Sequence, residues 1–310
     1  MLNVGRASIV YIRVGDWLLK ALGSKPSVRT RKLFTGGGRD ALSHYQHTIL
    51  HHVLMKYLIH RLFAVASTTL LLVDVGSGAE SVDDLVARGK AFEQKFRAND
   101  ALTQYLDAEK LEPKNPELLV RIARQYRWLM TDAPAKEEKL RLGHIALDYS
   151  MRAAACGPKN CDAQLATAIT LGKMLPYLPT KEQVSASPRI KESVDKALEL
   201  DPSDDTAWHI LGRWHRVLSD VNAVKRTMAG LLYGNLPKGS ITEAERDMQK
   251  AIELNPNRLM HYIELGRIYA QMGRTDDARR FINKGLAMPN SEKDDPETKE
   301  RGRETLAKLH

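Results

Sequence analysis

The sequence predicts an all-α superhelical solenoid of about five helical hairpins with a C-terminal capping helix. One motif, in which a small residue stands among bulky or ring side chains, occurs five times. Segments that close on a proline follow several copies, at Pro113, Pro202 and Pro256. Because a short repeat cannot bury its apolar face alone, the copies must stack, and function should lie on the surface of the stack. The small residues of the five copies are Gly89, Ala123, Ala168, Gly212 and Gly266.

The first unit, residues 82–115, matches the tetratricopeptide template of about 34 residues. Ala101, Tyr105, Ala108 and Pro113 fall where the second helix of that template has small, ring, small and proline residues. The last unit, from about Leu259, repeats the pattern. Small residues let the two backbones of a hairpin approach to about 8 to 10 Å. The predicted repeat core consists of Gly89, Ala123, Ala168, Trp208, Gly212, Tyr262, Gly266, Tyr269 and Ala278.

Three middle units are longer than the template, because the five small residues are separated by 34, 45, 44 and 54 positions. We expect the surplus of each unit to lie between the two helices of its hairpin. The longest insertion, over residues 220–240, contains apolar residues at helical spacing and ends in a glycine- and proline-containing turn. Ser240 and Glu243 then form a capping box that predicts the start of the next helix. A final helix is predicted near residues 292–309.

The positive charge of the chain is concentrated before residue 80. Residues 1–79 hold 10 Lys or Arg and 3 Asp or Glu, a balance of +7, whereas the whole chain has +9. The remaining +2 is spread over residues 80–310, without the clustered basic and aromatic pattern of a nucleic-acid-binding domain. A nucleic-acid partner is therefore not expected.

The residues before Glu80 follow the order of a secretory signal peptide. Residues 55–61 form a short basic opening, residues 62–73 an apolar run of 12, and residues 77–79 a small-residue end. This run is shorter than the ~20 apolar residues of a membrane-spanning helix. The sequence predicts a poorly ordered leader over 1–54 that could be absent from the mature protein. It then predicts a signal-peptide-like segment over 55–79 and a repeat domain over 80–310.

This organisation predicts an exported protein in a periplasmic or other extracytoplasmic compartment. The alternatives are a membrane-anchored protein, in which the apolar run stays attached behind a basic tail, and a cytoplasmic protein. Contact with a membrane is expected only if residues 55–79 are retained.

Cys156 and Cys161 bracket a four-residue loop at a hairpin junction. In an exported protein this loop could close as a disulfide, with two free thiols as the alternative. Zinc is not expected, because no histidine or second cysteine pair lies nearby. The sequence also lacks the spaced motifs of metalloproteases and serine hydrolases. We therefore expect no enzyme activity, no metal and no cofactor.

A set of cations recurs at equivalent positions of the first helix of each hairpin, the helix that lines the inner groove of a tetratricopeptide array. Stacking would align them as a basic ladder suited to the carboxylates of an extended acidic peptide or protein partner. The alternative is that these cations only solvate a helix face. The predicted partner-binding residues are Lys90, Arg124, Arg127, Lys173, Arg213, Arg216 and Arg267.

The segments 208–215, 225–240 and 251–256 resemble the regulator of microtubule dynamics protein family, and the likeness extends over about residues 80–300. The resemblance implies a tetratricopeptide-like, non-enzymatic protein. It also implies microtubule association, with mitochondrial or membrane-contact roles in some animal members. The leader and the cysteine pair of this chain depart from the animal members and look more like bacterial relatives, which makes microtubules a doubtful partner for an exported protein.

The function expected from the sequence is a protein-interaction scaffold whose basic concave groove binds an extended, acidic partner. The alternatives are a membrane-tethered organiser and an enzyme accessory that uses the 220–240 insertion as a lid.

Overall fold

The computed structural model describes residues 80–234 and 236–309, and the predicted leader and signal-like segment lie outside them. The described residues form twelve α-helices, one short 3-10 helix at Leu175–Tyr177 and no strand. The α-helices are α1 (Val82–Glu93), α2 (Ala98–Leu111), α3 (Pro116–Asp132), α4 (Lys136–Cys156), α5 (Cys161–Met174), α6 (Thr180–Leu200), α7 (Asp205–Ser219), α8 (Ala223–Tyr233), α9 (Ile241–Leu254), α10 (Leu259–Gln271), α11 (Thr275–Ala287) and α12 (Asp295–Leu306).

Five antiparallel helix pairs stack in chain order, as the sequence predicts. The pairs are α1–α2, α3–α4, α5–α6, α7–α9 and α10–α11, and each pair also packs against the next. The last helix, α12, packs against α10 and α11 and covers the end of the stack. The prediction of a five-hairpin solenoid with a C-terminal helix is therefore confirmed.

The centres of the hairpins contain the small residues on which the prediction rests. The three predicted alanines, Ala123, Ala168 and Ala278, are fully buried, and Tyr262 and Tyr269 are buried as well. The three predicted glycines lie in first helices at the contact with the second helix. Gly89 faces the Tyr105 ring, whereas Gly212 and Gly266 lie directly against backbone atoms. Trp208 differs, because its ring is only partly buried and its indole N–H donates to the Pro202 carbonyl at 2.9 Å.

The surplus residues of the second and third units extend their second helices. Both α4 and α6 are 21 residues long, and the connection between α3 and α4 is only three residues. The expectation that this surplus lies between the helices is therefore wrong for these two units. Small and apolar residues continue at helical spacing along α4, and Gly143 of this helix packs against Met174 of α5. Because the pattern continues, the added residues stay helical.

The insertion of the fourth unit lies between its two helices, as predicted, and contains α8. Arg226 fixes this insertion, since its guanidinium donates to the Leu218 carbonyl at 2.8 Å, to the Leu236 carbonyl at 3.0 Å and to the Pro237 carbonyl. Ser240 then caps α9 by accepting from the Glu243 backbone N–H at 3.3 Å. Residues 236–240 are thus an irregular connection that leads into α9.

The exposed face of α8 carries the large apolar side chains of Val224, Met228, Leu231 and Leu232. Beneath α8 lies a cleft of about 690 Å³, which α6 and α7 complete with mostly apolar side chains and with Arg213. None of the helices in the described part of the chain combines the length and apolar character needed to span a bilayer.

Replacing Gly266 tests the close packing inside a hairpin. A Cβ at this position would lie 2.9 Å from the Ile282 backbone nitrogen and 3.0 Å from the Ala278 carbonyl oxygen, so the helices must separate. We expect Gly266→Ala to lower the free energy of unfolding by about 1 to 3 kcal/mol, measured by urea denaturation.

The matched control is Gly172→Ala in α5, where an added Cβ would meet nothing within 4 Å. Because alanine is the better helix former, this variant should be neutral or stabilised by up to about 1 kcal/mol. Equal effects of the two substitutions would contradict the packing account.

Candidate functional site

A groove of about 920 Å³ lies on the inner side of the stack. Its walls come from the first helices α1, α3 and α5, from the connection before α7, from the start of α10 and from residues 291–298. Four of the predicted partner-binding residues line it, namely Lys90, Arg124, Arg127 and Lys173. Arg121, which the ladder did not include, lines it as well, because it lies one helical turn before Arg124 on α3.

Glu93 connects the first two hairpins at one end of the groove. Its carboxylate pairs with Arg124 at 2.6 Å and with Arg121 at 3.3 Å, and it accepts a hydrogen bond from the Tyr105 hydroxyl. Burial and the neighbouring Glu93 carboxylate raise the pKa of Tyr105 above its ordinary value, so the phenol remains a donor. Lys90 is exposed beside this cluster.

Arg127 is a buried cation at the centre of the groove wall. Its guanidinium donates to the Thr170 hydroxyl at 3.0 Å, and within the described residues no carboxylate approaches it to ion-pair distance. Burial, and then the Arg124 charge, lower the pKa of Arg127 to about 9, so the side chain is still charged at neutral pH. A buried charge without a close counter-ion is costly, and this position therefore favours the approach of an anion.

A short acidic stretch at the start of α12, the segment Ser291–Asp295, lines this part of the groove, and we call it the C-terminal strap. Asp294 pairs with Lys173 at 2.8 Å and accepts from the Thr131 hydroxyl at 2.9 Å. Burial alone would raise the pKa of Asp294, but Lys173, Thr131 and Arg127 hold it below its ordinary value. Thr131 and Asp294 are 163 positions apart in sequence, so the strap joins the second hairpin to the end of the stack.

Two further ion pairs hold the strap. Glu292 accepts from Arg258 through both carboxylate oxygens, at 2.7 and 3.0 Å, and Lys293 pairs with Asp132 at 2.8 Å. The sequence carried no signal for these contacts, since they join residues of distant repeats.

The groove is not uniformly basic. Seven Lys or Arg and eight Asp or Glu line its described part. The cations of α1, α3 and α5 face an acidic side formed by the starts of α5 and α7 and by the strap. The acidic residues of that side are Asp162, Asp201, Asp204, Asp205, Glu292, Asp294 and Asp295.

The other three predicted ladder residues lie outside this groove, and two of them pair with Glu264. Arg216 pairs with the buried Glu264 carboxylate at 2.5 Å and Arg267 at 2.9 Å, while Arg213 lines the cleft under α8. Burial alone would raise the pKa of Glu264, but the charges of Arg216, Arg267 and Arg213 hold it well below its ordinary value. The expected single ladder is thus divided into two clusters, because Glu264 of α10 gathers the cations of the last two hairpins.

Two buried histidines connect α7 with α10. The Nδ1 atoms of His209 and His261 are 3.1 Å apart, and His261 Nε2 is 2.9 Å from a carboxylate oxygen of Asp205. Arg258 donates to that same Asp205 carboxylate at 2.6 Å. Burial and the partner histidine lower the pKa of His209 well below its ordinary value, and burial lowers the pKa of His261.

Both cysteines are free thiols in the structure, so the disulfide considered from the sequence is not formed. Cys156 ends α4 and is exposed, whereas Cys161 begins α5 and is partly buried. The Cys161 Sγ lies 3.4 Å from an Asp204 carboxylate oxygen and 3.5 Å from the Ala197 carbonyl oxygen. Burial and Asp204 raise the pKa of this thiol to about 12, which keeps it protonated and unreactive.

Stacked hairpins around an inner groove define the chain as a tetratricopeptide-like repeat protein. A thermophilic TPR protein of Thermus thermophilus has the same fold, with a TM-score of 0.52 at 18% identity over 73% of this chain and 100% of that one.

The sequence profile of the family described as Regulator of microtubule dynamics protein 1-3 matches residues 80–310, and the chain belongs to that family.

The curated relatives have the same family name. Regulator of microtubule dynamics protein 1 of Caenorhabditis elegans is 29% identical over 179 residues, which are 58% of this chain and 79% of that protein. Protein 1 of Mus musculus is 29% identical over 210 residues, 67% of each chain. Protein 2 of Bos taurus is 27% identical over 180 residues, 58% of this chain and 44% of that protein. The matched region therefore covers from 44% to 79% of the length of these three relatives.

Removing the charge of Glu264 tests the second cluster. Glu264→Gln keeps the size of the side chain but leaves the guanidinium groups of Arg216 and Arg267 without their buried carboxylate. We expect the free energy of unfolding to fall by about 3 to 5 kcal/mol in urea denaturation at neutral pH. Glu300→Gln on α12 is the control, because Glu300 is exposed and pairs only with the exposed Arg303. If both variants unfold at the same urea concentration, the role given to Glu264 is wrong.

The buried histidines predict that stability decreases in mild acid. Because the pKa of His209 is lowered in the folded chain, the unfolded chain binds protons first when the pH falls below the ordinary value of 6.5. The stability that depends on a neutral His209 ring is therefore present above pH 6.5 and is lost progressively below it. Between about pH 7.5 and about pH 5.5 the loss should be about 1.4 kcal/mol for His209.

Urea denaturation of His209→Gln should show a smaller decrease over the same pH interval than that of the unmodified protein. His144→Gln, at an exposed position of α4, should behave like the unmodified protein. Parallel pH curves for the unmodified protein and His209→Gln would count against this explanation.

Proposed function

We propose that the chain is a non-enzymatic protein-interaction scaffold that holds an extended, acidic peptide of a protein partner along the basic side of its groove. The observation that carries this proposal is the convergence of Lys90, Arg124, Arg127 and Lys173, from three successive hairpins, on one open groove. Arg127 is the central residue, because it is buried and charged and its hydrogen-bond partner is a neutral hydroxyl.

The dimensions of the groove suit a short extended segment. Helices in contact lie about 8 to 10 Å apart, so three successive first helices cover about 20 Å. An extended chain advances about 3.3 Å per residue, and about six residues would span this distance. Such a peptide could place alternate carboxylates opposite the cations of α1, α3 and α5.

The cleft under α8 supports the enzyme-accessory alternative less well. An enzyme using α8 as a lid would need titratable groups in the cleft, whereas the described lining is mainly apolar, with Arg213 as its charged residue. We therefore place the function in the inner groove. The membrane-tethered organiser depends on residues 55–79 and is compatible with the same groove.

The family membership suggests one partner to test. The relatives are named as regulators of microtubule dynamics, and a microtubule is therefore a candidate partner for this chain. Co-sedimentation with assembled microtubules, repeated at low and high salt, would detect an electrostatic association of this kind.

Charge reversal in the groove tests the proposal. Fluorescence anisotropy would measure binding of a fluorescein-labelled peptide of ten glutamates to the full chain. Lys90→Glu combined with Arg124→Glu should weaken binding at least about tenfold, because two attractive contacts become repulsive. Raising the ionic strength should also weaken binding, since these groups are partly exposed.

The control combines Lys110→Glu with Arg303→Glu. Both residues are exposed and lie outside the groove, and the change in net charge is the same. Binding that weakens equally in both double variants would reject the groove as the site.

A further inference from the structure

The C-terminal strap has the composition and the contacts expected of a peptide ligand of the groove. Its sequence is Ser-Glu-Lys-Asp-Asp. Asp294 meets Lys173 and Thr131, and Glu292 meets Arg258 through both carboxylate oxygens. Through Asp294, the chain thus already places a carboxylate of its own against the surface that the proposed function gives to an acidic partner.

The side chain of Asp294 is directed to the groove and away from its own helix. Asp294 is the N-cap residue of α12, where an aspartate usually accepts from backbone N–H groups of the first turn. Here it makes no such bond, and its carboxylate accepts from Thr131 instead. Turning the Asp294 side chain out of the groove would therefore break no side-chain cap of α12, and its backbone carbonyl could still accept from the Thr298 N–H at 3.0 Å.

The neighbouring Asp295 stabilises the local turn. Its buried carboxylate accepts from the backbone N–H groups of Ser291 and Glu292, at 2.7 and 2.8 Å. α12 itself is held by Gly302, which packs against Ile263 and Ile282. The strap can therefore leave the groove while α12 keeps its place on α10 and α11.

The ion pairs of the strap are of the kind that a competing ligand can replace. The side chains of Asp294, Glu292 and Asp132 are 42%, 40% and 54% exposed. The cations of these pairs, Lys173, Arg258 and Lys293, are 17%, 20% and 21% exposed. A carboxylate can therefore leave into solvent, and an equivalent pair with a partner would replace the interaction that is lost.

We propose that the strap Ser291–Asp295 is an intramolecular ligand of the groove and that an acidic peptide partner must displace this strap. This inference rests on the proposed function. A carboxylate of the partner then takes the place of Asp294 beside Lys173 and Arg127, whereas the Thr131 hydroxyl, which does not line the groove, bonds to the strap and not to the partner. The apparent affinity of the groove is then its intrinsic affinity multiplied by the fraction of molecules in which the strap is released. The strap also selects partners, because a peptide with too few carboxylates cannot replace its contacts.

Two variants of the full chain test this inference with the labelled ten-glutamate peptide. Asp294→Asn weakens the strap, and binding should become about tenfold tighter.

Thr131→Val removes the hydroxyl that donates to Asp294 without changing any charge, and Thr131 does not line the groove. Its binding should become about three- to tenfold tighter, which separates displacement of the strap from loss of repulsion. If Asp294→Asn does not fold, Thr131→Val alone tests whether a weakened strap tightens peptide binding. Glu300→Gln, on the exposed side of α12, is the control and should bind as the unmodified chain does.

Hydrogen–deuterium exchange of the unmodified chain gives a second readout. Saturation with the peptide should increase amide exchange over residues 288–295, because Ser291 and Glu292 lose their ordered turn. Exchange in α1 and α3 should not increase.

The outcomes distinguish this inference from the proposed function. Tighter binding of both variants, with faster exchange of the strap, supports displacement. If the unmodified chain and both variants bind equally and exchange is unchanged, the peptide lies beside an intact strap and the inference is overturned, while the groove remains a binding site. If neither the unmodified chain nor the variants bind the peptide, the proposed function fails and this inference fails with it.

Discussion

The close approach of two helices at a small residue is the constraint on which the rest of the structure depends. Where Gly212 and Gly266 meet the backbone of their partner helices, each hairpin becomes thin enough to stack on the next. Stacking then places every first helix on the inner side, and the groove is a consequence. Buried ion pairs such as those of Glu264 then form between side chains that this packing has brought together.

Charge compensation differs between the two ends of the stack. At the C-terminal end, Glu264 is buried among arginines and is fully committed to the fold. At the N-terminal end, Arg127 is buried beside a hydroxyl, and the nearest anions come from the partly exposed Asp294 of the strap and from Glu93. Arg127, a buried cation that has no carboxylate at ion-pair distance in the described part of the chain, therefore lies where the groove is open.

Local patterns in the sequence were sufficient to predict the hairpins, their number, the buried small residues and the helix within the 220–240 insertion. They predicted Lys90, Arg124, Arg127 and Lys173 in one groove because equivalent positions of stacked repeats align. They could not predict that Arg216 and Arg267 pair with Glu264, or that residues 291–295 return to the second hairpin. Both features depend on contacts between distant repeats, such as Thr131 with Asp294, which have no periodic signal. The extra turns of α4 and α6 were missed because the repeat template has a fixed length, whereas helical spacing simply continued.

The most direct test of this account is a crystal structure of the full chain with the ten-glutamate peptide bound. The account predicts a peptide carboxylate within hydrogen-bonding distance of Lys173, with further carboxylates near Arg124 and residues 291–294 moved out of the groove. A peptide bound elsewhere, for example along α8, or a groove still holding Asp294 against Lys173 with no peptide density beside it, would contradict the central claim.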